Sequence, residues 1–96
     1  MMSIAFAVDI ERVGTHSIDE NFTNTVNYVD YFHGDYVNST KALIQAYPSE
    51  LDYIKMRSGP LVISRWSITY EESLLTINVT GIYPGFVTRE DDKYKQ

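Results

Sequence analysis

The sequence predicts an α+β domain: a three-stranded, mostly antiparallel sheet with one or two helices packed on one face. Three observations predict this fold. Large apolar residues alternate near the N-terminus, two further alternating segments follow one another in the C-terminal half, and apolar residues at helical spacing occupy the chain between them. The sheet would therefore consist of the first strand and a C-terminal hairpin.

Residues 3–13 are predicted to form the first strand. Every second residue from Ile4 to Ile10 is large and apolar, which is the period of a strand with one buried face. The alanines between them indicate that the second face is partly covered as well. We expect the strand to end at Val13-Gly14-Thr15.

Two interpretations are open for residues 17–33. Ser17 and Glu20 have the spacing of a capping box, and apolar residues follow at helical spacing as far as Phe32. Against a helix, the segment from Thr23 to Asn27 is rich in Thr and Asn, which are poor helix formers and favour strands or turns. We favour the helix and keep an extended conformation as the alternative.

A second helical pattern follows Asn38-Ser39-Thr40 and continues to Ile54. Because a proline disfavours a helical conformation of the residue before it, Pro48 makes this segment either one kinked helix or two short ones. We expect Gly59-Pro60 to end it. The helical segment 17–57 would pack on the face of the sheet that carries Trp66.

The C-terminal half is predicted to form a hairpin of strands 61–70 and 73–83, with Glu71-Glu72 at the tip of a four-residue loop. In this register Ile68 faces Leu75 on a mostly apolar face, and the opposite face is polar through its middle. A shift of one residue would exchange the two faces, so the pattern specifies the register. The expected core consists of Phe6, Val8, Leu43, Leu51, Ile54, Trp66, Ile68, Ile77 and Val79.

The chain has 96 residues, is 44% apolar and 22% charged, and contains no cysteine. A chain this short forms one domain, which we place at 1–88 with a polar tail at 89–96. The absence of cysteine excludes disulfides and thiolate metal sites. No apolar run reaches roughly 18 residues, and the first ten residues contain no base, so we expect no membrane span and no signal peptide. The expected location is the cytoplasm, which would be that of a host cell for a viral protein.

No catalytic or metal-binding motif is present. The two histidines, His16 and His33, lack further ligands at the spacing of a metal site. Neighbouring acids lie in predicted turns, a first helical turn or the tail, where water keeps both carboxylates ionised. The glycines are isolated and form no phosphate-binding loop. We therefore expect no enzymatic activity, no catalytic residue, no metal and no cofactor.

The negative charge is concentrated in the first part of the chain. The formal net charge is −5, and residues 1–54 carry eight acids against two bases, whereas residues 55–96 carry five acids against six bases. Residues 13–40 contain neither Lys nor Arg. Because nucleic-acid binding needs these cations to neutralise phosphates, we expect no direct binding of nucleic acid.

Tyrosines are dense in the same acidic stretch, and this overlap predicts a surface that binds a protein. Tyr offers a large contact area at a low entropic cost, while carboxylates attract a basic partner. A rigid turn at residues 83–86 would present two more aromatic rings. The predicted partner-binding residues are Asp19, Glu20, Tyr28, Asp30, Tyr31, Asp35, Tyr36, Tyr83 and Phe86.

The expected function is that of a non-enzymatic protein-binding module whose acidic, Tyr-rich face contacts a basic protein surface. The composition is similar to that of viral accessory proteins such as inhibitors of host defence nucleases, which implies an acidic face that mimics nucleic acid. This similarity lies in composition, and no motif carries it. The alternative is a structural subunit or adaptor of a larger assembly such as a phage virion, because the edges of a small sheet favour homo-oligomers or hetero-complexes.

Overall fold

The computed structural model describes residues 9–84, which form a single antiparallel sheet with two helices packed on one face. The strand order is β1-β2-β4-β3, and both helices lie in the connection between β2 and β3. None of the helices in this part of the chain is long and apolar enough to cross a membrane. The elements are β1 (Ile10–Ile18), β2 (Asn24–His33), α1 (Asp35–Gln45), α2 (Glu50–Ser58), β3 (Val62–Tyr70) and β4 (Leu74–Ile82).

The predicted α+β class is correct, but the prediction of a three-stranded sheet is wrong. The segment favoured as a helix contains the end of β1, a turn and the fourth strand, β2, which lies between β1 and β4. Along β2, Tyr28, Asp30 and Phe32 are buried at every second position. This is the period of a strand, and the buried Asp30 interrupts its apolar pattern in the sequence.

The first strand ends later in the chain than predicted. It runs past Val13 to Ile18, and residues 3–8 of the predicted strand lie outside the described residues. Gly14 does not end the strand, because it pairs with Tyr28 in the middle of β1. The turn to β2 is held by Asp19, whose carboxylate accepts from the amides of Asn21 and Thr23 at 2.8 and 2.9 Å.

The second helical segment forms two helices, one of the two alternatives left open. α1 begins at Asp35, earlier than the pattern indicated, directly after Gly34 with a φ of 60°. Ser49 caps α2, since its hydroxyl accepts from the Asp52 amide at 3.1 Å. Gly59 ends α2 with a φ of 64°, a conformation that favours glycine and agrees with the predicted end.

The C-terminal hairpin is confirmed, with its register shifted by two residues. Ile68 pairs with Ile77 rather than with Leu75. The tip lies one residue later than predicted, because the Glu71 amide donates to the Leu74 carbonyl at 2.8 Å and leaves Glu72 and Ser73 at the turn. From Arg65 to Tyr70 a shift of two residues keeps each side chain on its predicted face, whereas an irregularity between Ile63 and Arg65 places Val62 on the opposite face.

The core lies between the sheet and the helices. Of the residues predicted for it, Ile54, Ile77 and Val79 are buried, and Leu51 and Ile68 are half-buried. The prediction is wrong for Leu43, which faces solvent on α1, and for Trp66, which lies on the edge strand β3 at 36% exposure. Phe6 and Val8 lie outside the described residues. The buried apolar set is Tyr28, Phe32, Val37, Ile44, Tyr53, Ile54, Leu61, Leu75, Ile77 and Val79.

Candidate functional site

The strand β2 distributes the predicted binding residues over both faces of the sheet. Tyr28 and Asp30 point towards the helices and are buried, whereas Tyr31 lies on the opposite face and is half-buried. A single surface formed by these residues requires the helix that the sequence favours for this segment. Because side chains alternate along a strand, neighbouring residues of β2 cannot share one surface.

The remaining predicted residues lie at opposite ends of the sheet. Asp19 and Glu20 are exposed in the turn between β1 and β2, whereas Asp35 and Tyr36 begin α1 beyond the other end of β2. A strand of this length separates the two groups by about 30 Å. Tyr83 follows β4 and is 37% exposed. Phe86 lies outside the described residues.

Asp30 is fully buried and binds two arginines. Arg12 donates from Nε and Nη2 to the two carboxylate oxygens at 2.6 and 2.8 Å. Arg57, on α2, donates from Nη2 and Nε to Oδ2 at 2.7 and 3.2 Å. The hydrogen bonds to Asp30 raise the pKa of Arg12 above its usual value. Asp30 therefore joins β1, β2 and α2, and offers no surface to a partner.

Both arginines also lie against aromatic rings of the core. The guanidinium carbon of Arg12 is 3.9 Å from the centroid of the Tyr28 ring, and that of Arg57 is 5.2 Å from the centroid of Phe32. Sequence reasoning did not identify these two cations. The signal was an acid at an inward position of a strand, since a buried carboxylate requires a cationic partner.

The strand register brings three chain segments together at one end of the sheet. The His33 amide donates to the Asp9 carbonyl at 2.8 Å, so the start of β1 lies beside the end of β2. His33 pairs with Leu74, next to the turn between β3 and β4. α1 begins two residues after His33. We name the five exposed carboxylates at this end the acidic end: Asp9, Glu11, Asp35, Glu71 and Glu72.

Two of the predicted tyrosines lie at the acidic end. Tyr31 pairs with Glu11 on the face of the sheet opposite the helices, and Tyr36 follows Asp35 with 43% of its surface exposed. Both salt bridges found within residues 9–84 involve Asp30. The carboxylates of the acidic end are therefore not neutralised by a salt bridge in the described part of the chain.

This arrangement suits recognition of a cationic surface. Among residues 9–84, no group of three His, Asp or Glu side chains is placed to hold a metal ion. In comparisons with known proteins, no family model, no curated protein and no solved structure matches the chain. What the site can do follows from its own charges and rings: five carboxylates in water, with tyrosine rings beside them.

Proposed function

We propose that the chain is a non-enzymatic protein-binding module whose acidic end contacts a basic surface of another protein. The supporting observation is that strand register gathers five exposed carboxylates from three separate parts of the sequence at one end of the sheet. Of the residues first predicted for this surface, the proposal keeps Tyr31, Asp35 and Tyr36. It leaves out Asp30, which is 0% exposed.

Like charges gathered at one end of the sheet repel one another, so a basic partner relieves this repulsion when it binds. Complementary charge also steers the encounter and makes affinity depend on salt. Tyr36, next to Asp35, supplies an exposed ring that can anchor the contact. Electrostatics would thus set the rate of association, and the ring would extend the lifetime of the complex.

A basic surface that accepts phosphates would accept these carboxylates in their place. The proposal therefore extends to an inhibitor, encoded by a virus or a mobile element, that occupies the nucleic-acid site of a host protein such as a defence nuclease. Mimicry of this kind needs fixed spacing between the charges. Glu11 and the two acids of the hairpin turn are attached to paired strands, which hold their backbones in place.

The test compares two variants that each remove two negative charges. Glu71→Gln/Glu72→Gln changes the acidic end, and Asp19→Asn/Glu20→Gln changes the opposite end of the sheet. The asparagine at position 19 keeps an acceptor oxygen for the turn amides. A partner is isolated on the wild-type protein at low salt, and its dissociation constant is then measured for all three proteins.

We expect the variant of the acidic end to bind at least about tenfold more weakly, a loss of about 1.4 kcal/mol. The control variant should bind within about twofold of the wild type. Raising NaCl from about 50 to about 500 mM should weaken the wild-type complex more than the complex of the acidic-end variant. Equal affinities of the two double variants, or an affinity insensitive to salt, would contradict the proposal.

The second candidate function is that of a structural subunit, and the two edge strands favour it. All residues of β1 are exposed, including Val13 at 51%, and Val62 on β3 is 58% exposed. Open edges with apolar side chains promote strand pairing between chains. Light scattering over a range of concentrations separates the candidates: self-association supports a subunit, and a monomer at all concentrations contradicts it.

A further inference from the structure

A second feature of the molecule lies away from the acidic end, on the helix-facing side of the edge strand β1. A cavity of about 320 Å³ opens there between β1 and the end of α2. Its lining includes Arg12, His16, Tyr28, Ser58 and Tyr83. From this lining we infer that the cavity binds a small organic carboxylate with a compact apolar body.

A glycine creates this cavity. The helix-facing positions of β1 run from Arg12 through Gly14 to His16, and Gly14 pairs with Tyr28. Because glycine has no side chain, the space above the β2 strand at this point stays open. α2 ends at Ser58, so the helix does not cover it either. The walls on this side are completed by Val26 and Leu61, which are apolar.

The charge near the cavity favours an anion. Asp30 supplies one negative charge, and two guanidinium groups bind it, so this cluster has a net charge of about +1. The Arg12 side chain is 45% exposed and lines the cavity. Only its Nε and Nη2 donate to Asp30. Within residues 9–84 its Nη1 donates no hydrogen bond, so the two N–H groups of this nitrogen remain available to a ligand.

A pair of hydroxyl groups adds a further donor. The Tyr28 hydroxyl and the Ser58 hydroxyl lie 2.7 Å apart and are buried. The hydrogen bond between them uses one of their two hydrogens, which leaves the other free to be donated. The cavity thus combines a cation, a polar donor and apolar walls, the usual composition of a small-molecule site.

Size and charge select a carboxylate. The volume is at the lower limit of about 300–1,000 Å³ that is typical of ligand sites, so the ligand is compact. One net positive charge matches the single charge of a carboxylate better than the two charges of a phosphate. The planar guanidinium of Arg12 suits a carboxylate, and Tyr83 at 37% exposure can cover an apolar ring.

The test uses the full chain and three probes: benzoate, its neutral analogue benzamide, and inorganic phosphate. Binding is followed by NMR titration of backbone amides. We expect benzoate to give saturable shifts centred on Gly14 and His16, with an affinity at least about tenfold higher than that of benzamide or phosphate. Equal binding of benzamide, tighter binding of phosphate, or no saturable shift with benzoate would overturn the inference.

Two variants locate the binding. Gly14→Val fills the cavity. Because its Cβ would lie 3.3 Å from the Asn27 carbonyl oxygen, a tight contact, the dispersion of the amide NMR signals is recorded first to verify that the variant is folded. Ser58→Ala removes one hydroxyl and keeps the strand pairing. Each variant should lower the affinity for benzoate at least about fivefold. Ser67→Ala, on the opposite face of the sheet, should leave this affinity unchanged. Unchanged benzoate affinity in Ser58→Ala and in a folded Gly14→Val would also overturn it.

The outcome is separable from that of the proposed function. The cavity contains none of the five carboxylates of the acidic end. Loss of benzoate binding in Ser58→Ala should leave the dissociation constant of a protein partner unchanged. Conversely, Glu71→Gln/Glu72→Gln should lower the affinity for the protein partner and leave the affinity for benzoate unchanged.

Discussion

Arg12 and Asp30 face each other across β1 and β2, and the guanidinium donates to both oxygens of a carboxylate that has no exposed surface. The two members of this pair differ in their access to water. Arg12 is 45% exposed and Arg57 is 25% exposed, so either cation can turn towards solvent. The Asp30 carboxylate has no access to solvent, so the free energy of burying its charge depends on these two partners.

This asymmetry predicts the order of stability in a set of variants. Arg12→Met leaves Asp30 with one cation and should cost less than Arg12→Met/Arg57→Met, which leaves a buried carboxylate unpaired. We expect the double variant to lose at least about 3–5 kcal/mol of unfolding free energy, measured by urea denaturation. The added substitution Asp30→Leu should then restore stability, because no buried charge remains.

Arg65→Met serves as the control for loss of an arginine, since Arg65 is exposed on the opposite face of the sheet. Its unfolding free energy should stay within about 0.5 kcal/mol of the wild type. If Asp30→Leu fails to stabilise the double variant, the buried charge is not the source of the loss.

The hydroxyls of Tyr28 and Ser58 join β2 to the end of α2 at 2.7 Å. Tyr28→Phe and Ser58→Ala each leave the other buried hydroxyl without this partner, so each should cost about 1–3 kcal/mol. The double variant should cost less than the sum of the two. A coupling energy near zero in this double-mutant cycle would show that the hydroxyl pair does not stabilise the fold.

The failure to predict the fourth strand, β2, has one physical source, the buried Asp30. An acid at an inward position breaks the period-two pattern of Val26, Tyr28 and Phe32, whereas Val26, Val29 and Phe32 match a helical spacing. The hairpin was predictable, because both of its strands alternate and are joined by a short turn. The register of the hairpin was harder to predict than its existence, because a shift of two residues leaves the pattern on each face unchanged.

The chemical character of the candidate site could be predicted from the sequence, but its position in the fold could not. The excess of acids and tyrosines is a property of the sequence, but the acidic end depends on which strands are neighbours. Glu11 and Glu71 are far apart in the chain and reach the same end only because β2 and β4 lie between β1 and β3. The contact of Arg57 with Asp30 is likewise set by packing of a helix on the sheet, which local patterns do not specify.

Tyr70 should make the stability of the protein fall at alkaline pH. Burial raises its pKa above 10.0, and the Glu50 carboxylate, which accepts from the Tyr70 hydroxyl at 3.2 Å, acts in the same direction. A group with a raised pKa stabilises the fold fully below the pKa of the unfolded chain, and this stabilisation is lost as the pH rises through the folded value.

The measurement is a series of urea denaturations from neutral pH upwards. The wild type should lose stability more steeply above pH 10.0 than Tyr70→Phe, which has no phenol at this position. Tyr36→Phe, at a similarly exposed tyrosine, should keep the steep slope of the wild type. Parallel curves for the wild type and Tyr70→Phe would contradict the assignment.

Gly81 allows β3 to lie close to β4, and replacing it should destabilise the sheet. A Cβ at this position would lie 2.6 Å from the Val62 carbonyl oxygen and 2.7 Å from the Leu61 Cγ. The first contact is with backbone, so β3 has to shift, and overpacking of this kind typically costs about 1–3 kcal/mol.

Gly14→Ala is the matched control within a strand, because its nearest contact is 3.3 Å and its cost should be smaller. Hydrogen exchange should show faster exchange of β3 amides in Gly81→Ala only, and equal unfolding free energies of the two variants would contradict this role of Gly81.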